Sequence, residues 1–251
     1  CRPEWECGQY AGDEAARFDA LQAACSAVQP PTYLDVELEA HLGRRGEGDA
    51  PTVAQRVQRM VRRGVEPTVN DTRLILSAHD FQQRPADLYQ RVEAMLASSA
   101  CSVIKVAWMA RSLRDNLQAF ELIADQHKPT IALCMGEAGL PSRVLARKFG
   151  ALLTFAGLDD ESVTAPGQVG VRVMKQLYRW DAIDAETQVF GVIGWPVGHS
   201  RSPAIHNAGF DATDYNGVYL PLPIPAEYEH FKATVGAWLS RPPSSTSAEP
   251  A

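Results

Sequence analysis

Residues 101–110 read CSVIKVAWMA, a lysine set inside an apolar run rich in β-branched residues. Val103, Ile104 and Val106 flank Lys105, and Ala107 and Trp108 follow it. Such a short continuous apolar run is the pattern of a strand covered on both faces, as in parallel sheets. A lysine there is costly, because loss of water penalises the ammonium and favours the neutral amine. Carbonyl chemistry uses that same property: only a neutral amine attacks a ketone to form a Schiff base. The bland alternative is a lysine with a packed stem and its ammonium in water at a strand end.

Outward from this stretch the chain alternates. On the amino-terminal side the pattern predicts a helix over 13–28, a strand over 33–38 (YLDVEL) and a Gly- and charge-rich loop over 39–50. A helix over 53–63 closes at Gly64, and a strand over 73–78 ends in His79-Asp80-Phe81. Pro85 opens a helix to residue 97. Beyond the lysine strand come a helix over 113–126, a strand over 130–135, a helix over 141–149, a short strand over 151–155 and a helix over 166–178. With a strand stub at residue 1, this β–α alternation implies a parallel sheet with right-handed crossovers. Most of a (β/α)₈ barrel and a smaller doubly wound sheet both remain open at this point.

After residue 179 the character changes. Residues 180–188 read as an acidic linker, and 189–193 (VFGVI) as a strand. The loop GWPVGHSRSP leads into a short helix with Ser202 as N-cap and Pro203 at its first position. A further strand over 217–220 marks the start of a second α/β domain, and 241–251 (RPPSSTSAEPA) is a disordered tail by composition.

Composition narrows the function classes. The net charge of −6 and the lack of a long basic run argue against a nucleic-acid partner. No apolar stretch reaches the length of a membrane span, and no signal peptide is visible. The five cysteines are odd in number, far apart and without a CxxC pair, so neither a metal site nor a disulfide framework is expected. A reducing cytoplasm is the simplest home. The chain starts at Cys1 rather than Met, which reads as processing or as a piece of something longer.

In a barrel, reacting groups sit where strands end and loops begin. His79 ends one predicted strand and Lys105 lies late in the next. An imine turns a ketone into an electron sink, and a histidine beside it can move the adjacent proton. Arg143, just beyond the 130–135 strand, suits a bidentate contact with a carboxylate, or is a solvated arginine beside Arg147 and Lys148. Thr164 either caps a helix or serves the mouth together with Gln168.

Read together, CRPEWECGQYAGDE, YLDVEL, ILSAHDF, VIKVAWMA, LCMG, SRVLARKFG, LLTFAG and TAPGQ resemble type I 3-dehydroquinate dehydratase over residues 1–179. The resemblance implies an α/β (β/α)₈ barrel of TIM type, here without its first strands and without their Glu-x-Arg motif. It implies that Lys105 forms the Schiff base, that His79 is the general acid/base and that Glu6 orients it. Arg2, Arg143, Thr164 and Gln168 would bind the substrate, 3-dehydroquinate, with no cofactor and no metal. Thr164 stands where the family often has Ser, and Cys7 where it usually has Gly.

Residues 189–240, through GVIGWPVGHSRSPAIHN, resemble the start of the shikimate dehydrogenase substrate domain, where Ser200 and Ser202 would hold substrate hydroxyls. Gly191 and Gly194 make no GxGxxG, so NADP is expected only in a complete dehydrogenase and not on this chain. The expected activity is therefore Schiff-base dehydration to 3-dehydroshikimate, in the pathway to aromatic amino acids. An inactive truncated remnant or scaffold and another Schiff-base barrel lyase are the alternatives. The oligomeric state is open, a homodimer being one option.

Overall fold

Four strands lie side by side in the order in which they occur: β1 (Tyr33–Glu37), β2 (Arg73–Asp80), β3 (Cys101–Met109) and β4 (Thr130–Met135). The β1–β2 and β2–β3 pairs are parallel. A doubly wound sheet must reverse strand order at a switch point. Here the order runs straight through, so the sheet is singly wound and the barrel alternative holds. The computed structural model describes residues 2–43, 72–125, 127–159, 165–225 and 227–239. The expected helix over 53–63, Thr164 and the tail over 241–251 lie outside the described residues.

The chain folds as two compact units. The first takes Cys1–Met109, Leu122–Leu133 and Ala151–Leu153, and the second takes Ala110–Glu121, Cys134–Gly150 and Thr154–Ala251.

In the first unit, strand alternation assigns the two faces of the sheet. Leu34 and Val36 of β1, Leu74, Leu76 and Ala78 of β2, and Ile104, Val106 and Trp108 of β3 share one face, and all are buried. Each large apolar side chain buried there contributes about 1.5–3 kcal/mol. The opposite face carries Asp35, Glu37, Ser77, His79 and Lys105. Register places Glu37, Ser77 and Lys105 in one row. A register shift at Leu74/Ile75 sets this row. Helix α1 (Glu14–Cys25) starts at Asp13, whose side chain accepts the amide of Ala16 at 3.2 Å. Its buried Arg17 bonds Glu14 and Glu37, each at 2.8 Å. The short α2 (Leu38–His41) follows β1, and α3 (Leu88–Ala97) packs near β3.

Helix α4 (Asp115–Ala124) passes from the second unit into the first. The second unit's core gathers Phe120, Leu140, Val144, Leu145, Met174, Tyr178, Ile183, Val218 and Leu220. It contains α5 (Leu140–Val144), a π-turn at Val173–Leu177 and the βαβ unit β5 (Gln188–Gly194), α6 (Ser202–Ala212), β6 (Gly217–Pro223), followed by α7 (Tyr228–Leu239). Strands β5 and β6 pair in parallel. Buried Asn207 pins α6 to β6, donating to the Tyr219 carbonyl at 2.9 Å and accepting its amide at 2.8 Å. Arg179, in a left-handed backbone conformation at φ 54°, donates to Asp211 and to the carbonyls of Tyr215 and Gly217.

Three local expectations are corrected. Residues 151–155 form no strand: Leu152 donates one bond to the Thr130 carbonyl at 3.0 Å, and one bond makes no ladder. The helix expected from Pro166 begins five residues later, because 165–169 are spent on a turn through Gly167 at φ 70°. Ser202 is not the N-cap of α6 but its first residue, following Arg201, which makes no side-chain cap.

Candidate active site

The polar face of the first unit brings together Glu6, Asp35, His79 and Lys105. Lys105 is 5% exposed. Its Nζ donates to Asp35 Oδ2 at 2.5 Å. The structure gives this amine a carboxylate partner that the sequence reading did not name. Burial pushes the Asp35 carboxyl up, but the adjacent Lys105 charge and hydrogen bond outweigh it and hold it below the usual range. Asp35 was missed as a site residue, although Asp35 and Glu37 at i and i+2 in an apolar strand signal two carboxylates on one face.

His79 sits at the mouth end of β2 beside this pair. Glu6, in the turn Glu4–Glu6, accepts the backbone amide of His79 at 2.8 Å and lies 3.3 Å from its Nδ1. With Nδ1 carrying the proton toward Glu6, Nε2 is left as an acceptor. Burial is the main cause that lowers the His79 pKa below 6.5, and the charges of Arg2 and Lys105 add to it, against Glu6. A neutral imidazole at pH 7 is a base ready to take a proton.

The amino-terminal segment that carries Arg2 and Glu6 is tightly turned. Tyr10 donates its amide to the Arg2 carbonyl at 3.1 Å, and a Cβ on Gly8 would stand 2.0 Å from that oxygen. Cys7 closes the turn at φ 57°, in the left-handed region. The family's glycine at this place is thereby explained, since only glycine adopts that conformation without steric cost.

Arg143 and Gln168 belong to the second unit. Arg143, on α5, is 1% exposed. Among the described residues its Nη1 makes a long bond of 3.5 Å to the Phe155 carbonyl, while Nε and Nη2 have no partner. Burial pushes its pKa down to about 10. The solvated alternative is thus excluded, and a buried guanidinium with unused donors is built to receive an anion. Gln168 is buried and ends the turn that starts at Ala165, its amide 3.2 Å from that carbonyl. Gly167 in this turn is obligatory, since a Cβ would meet the Gly136 oxygen at 2.0 Å. In the second module, Ser200 Oγ accepts the amide of Ser202 at 3.2 Å, so the two serines adjoin at the start of α6.

Lys128, the other buried-stem lysine near this sheet, is spent on structure: it donates to the carbonyls of Leu96 and Ser98 at 3.0 and 2.9 Å, closing α3. Among the described residues, no group of three His, Cys, Asp or Glu could hold a metal, and no helix is long and apolar enough to cross a membrane.

Comparison with known proteins adds the following. Residues 1–185 match the family described as type I 3-dehydroquinase, and 192–239 the shikimate dehydrogenase substrate binding domain. A chloroplastic bifunctional 3-dehydroquinate dehydratase/shikimate dehydrogenase of Arabidopsis thaliana is 38% identical over 223 residues, covering 88% of this chain and 34% of its own. A 3-dehydroquinate dehydratase of Desulfotalea psychrophila is 32% identical, covering 71% of this chain and 73% of its own. The solved dehydroquinate dehydratase and shikimate dehydrogenase from S. pombe AroM matches with a TM-score of 0.52 at 24% identity, over 92% of this chain and 41% of that one. The type I 3-dehydroquinate dehydratase of Clostridium difficile matches at 0.51 and 21%, over 70% and 64%. At these identities the structural likeness carries the fold alone. The chain spans about a third of the length of the Arabidopsis relative.

Proposed function

This chain belongs to the type I 3-dehydroquinase family, and on that premise we propose that it dehydrates 3-dehydroquinate to 3-dehydroshikimate through an imine on Lys105. The observation that carries the reading is the placement of buried Lys105 on β3 and of His79 near the end of β2 on one face of adjoining strands. The amine condenses with the ketone, and the imine accepts electrons from the adjacent carbon. His79, held by Glu6, takes the proton from that carbon and returns a proton to the departing hydroxyl. The amine supplies the electron sink and the imidazole the proton transfers, so the proposed reaction uses no cofactor.

The family resemblance assigns the substrate carboxylate to Arg143 and the remaining substrate oxygens to Arg2, Gln168 and Thr164. Ser200 and Ser202 would hold hydroxyls of a second substrate in the shikimate dehydrogenase module. Without a nucleotide turn, NADP turnover is not proposed for these 251 residues. Among the described residues Cys7, Cys101 and Cys134 are free thiols, which supports a reducing compartment such as the cytoplasm.

The test is intact mass after incubation with dehydroquinate and borohydride, followed by peptide mapping. One reduced adduct on Lys105 is expected, and none in Lys105→Ala or in Lys105→Arg, whose guanidinium stays protonated. A label on Lys128 or Lys148, or no adduct at all, sinks the reading.

A further inference from the structure

Imine formation has a charge problem that Asp35 is placed to solve. Asp35 Oδ2 lies 2.5 Å from Lys105 Nζ, between strands that are neighbours but one. Among the described residues, the neighbouring charges have partners of their own. Glu37, in the same row as Lys105, is bonded to Arg17 at 2.8 Å. Glu6 holds His79, and Arg2 acts on His79 from the amino-terminal segment. On the other side of Lys105, β4 contributes Thr130, Ile131, Ala132 and Leu133 from this unit, none of them charged.

We infer that Asp35 is the standing counterion of the Lys105 nitrogen, first as the resting ammonium and then as the iminium of the substrate adduct. The inference rests on the Schiff-base reading above and adds a residue to it. The ammonium passes one proton to His79, and the freed lone pair forms the C–N bond to the ketone carbon. The carbonyl oxygen takes a second proton from nitrogen to become a hydroxyl. His79 then returns its proton to that hydroxyl, the C–O bond breaks, and water departs. Nitrogen thus goes from three protons to one, and water carries away the other two with the ketone oxygen. The charge on nitrogen is +1 at both ends of the sequence. Asp35 stays ionised throughout, with no proton entering or leaving the site. An iminium formed in a buried site without such a partner would meet the desolvation cost of an unpaired charge.

The experiment compares the unsubstituted chain, Asp35→Asn and Asp35→Glu, each given dehydroquinate and quenched with borohydride over a range of pH. In Asp35→Asn the trapped adduct falls about tenfold at neutral pH, and its pH profile moves acidward by about one unit. Asp35→Glu, which keeps the charge, recovers most of the adduct. An unchanged yield and profile in the Asn variant, or no recovery in the Glu variant, overturns the counterion role while leaving the Schiff base intact. Absence of adduct in the unsubstituted chain instead overturns the Schiff-base reading, and the counterion with it. A second measurement does not depend on a variant folding: infrared difference spectra of the unsubstituted chain carrying carboxyl-labelled aspartate. No protonated aspartic acid is expected to form as substrate is added, and its appearance overturns the proposal.

Discussion

One carboxylate oxygen of Glu6 meets His79 twice, accepting its backbone amide at 2.8 Å and facing its Nδ1 at 3.3 Å. The backbone bond fixes the carboxylate, and the carboxylate fixes the ring. Glu6→Gln keeps an acceptor oxygen at this place and removes the charge. Because Glu6 raises the His79 pKa against burial, its loss moves the acid limb of kcat/KM to lower pH. The imidazolium formed during turnover loses its stabiliser, so kcat falls about tenfold, against about 10²–10⁴-fold for His79→Ala. A Glu6→Gln enzyme with an unmoved acid limb would show that the carboxylate charge does not act on the ring.

The same burial sets the sign of the pH dependence. His79 titrates below 6.5 in the folded chain, so the unfolded chain binds more protons as pH drops below about 6.5. Stability is therefore fully present above that value and is lost as pH falls through the folded pKa. His41, also lowered by burial, contributes in the same direction. Urea unfolding at stepped pH should show a decline below about 6.5 that His79→Asn reduces and His41→Asn reduces further.

Arg143 keeps a buried cation with two nitrogens that have no partner among the described residues. Arg143→Met should raise the thermal midpoint of the unliganded chain, since an apolar side chain of similar length removes a poorly compensated charge. The same variant should weaken substrate binding by at least about 100-fold, as the loss of a charge-assisted bidentate contact costs about 3 kcal/mol. Calorimetry and KM check the two halves separately. A destabilised variant with unchanged KM would make Arg143 a structural residue.

Cys7 is exposed and left-handed at φ 57°. Cys7→Gly should stabilise the first unit by about 1 kcal/mol, relief of the left-handed strain exceeding the extra chain entropy of glycine. Chemical denaturation of the two variants is sufficient to measure it.

Arg179 ties the end of the first family region to the βαβ unit through two carbonyls and Asp211. Arg179→Lys should cost about 2 kcal/mol, because an ammonium cannot present the planar fork that serves three acceptors. Most of the loss belongs to the carbonyls, since Asp211 is largely exposed and its charge is screened. Limited proteolysis should cut earlier near residues 211–217 in this variant. Unchanged cleavage would mean that β5, α6 and β6 stand without Arg179.

The strands that carry His79 and Lys105 were legible in the sequence by itself, although β2 runs on to Asp80, two residues beyond the expected end. The apolar runs around Ile75 and Ile104 mark two covered strands, and period-two alternation places His79 and Lys105 on a defined face of each. Those are local properties of a few consecutive residues, so residue order determines them. The strand expected at 151–155 failed for the converse reason: a strand exists only when a neighbour completes its ladder, and Leu152 finds one bond there. The family resemblance placed Glu6 at His79, 73 residues away, but nothing in their spacing did. The partner of Lys105 was decided by the tertiary structure alone. Asp35 lies 70 residues from it and reaches it because β1, β2 and β3 are adjacent in one parallel register. The tertiary structure likewise buried Arg143 with no carboxylate partner among the described residues. Charge pairing in a barrel depends on which strands adjoin and how they are offset, and separation along the chain encodes neither.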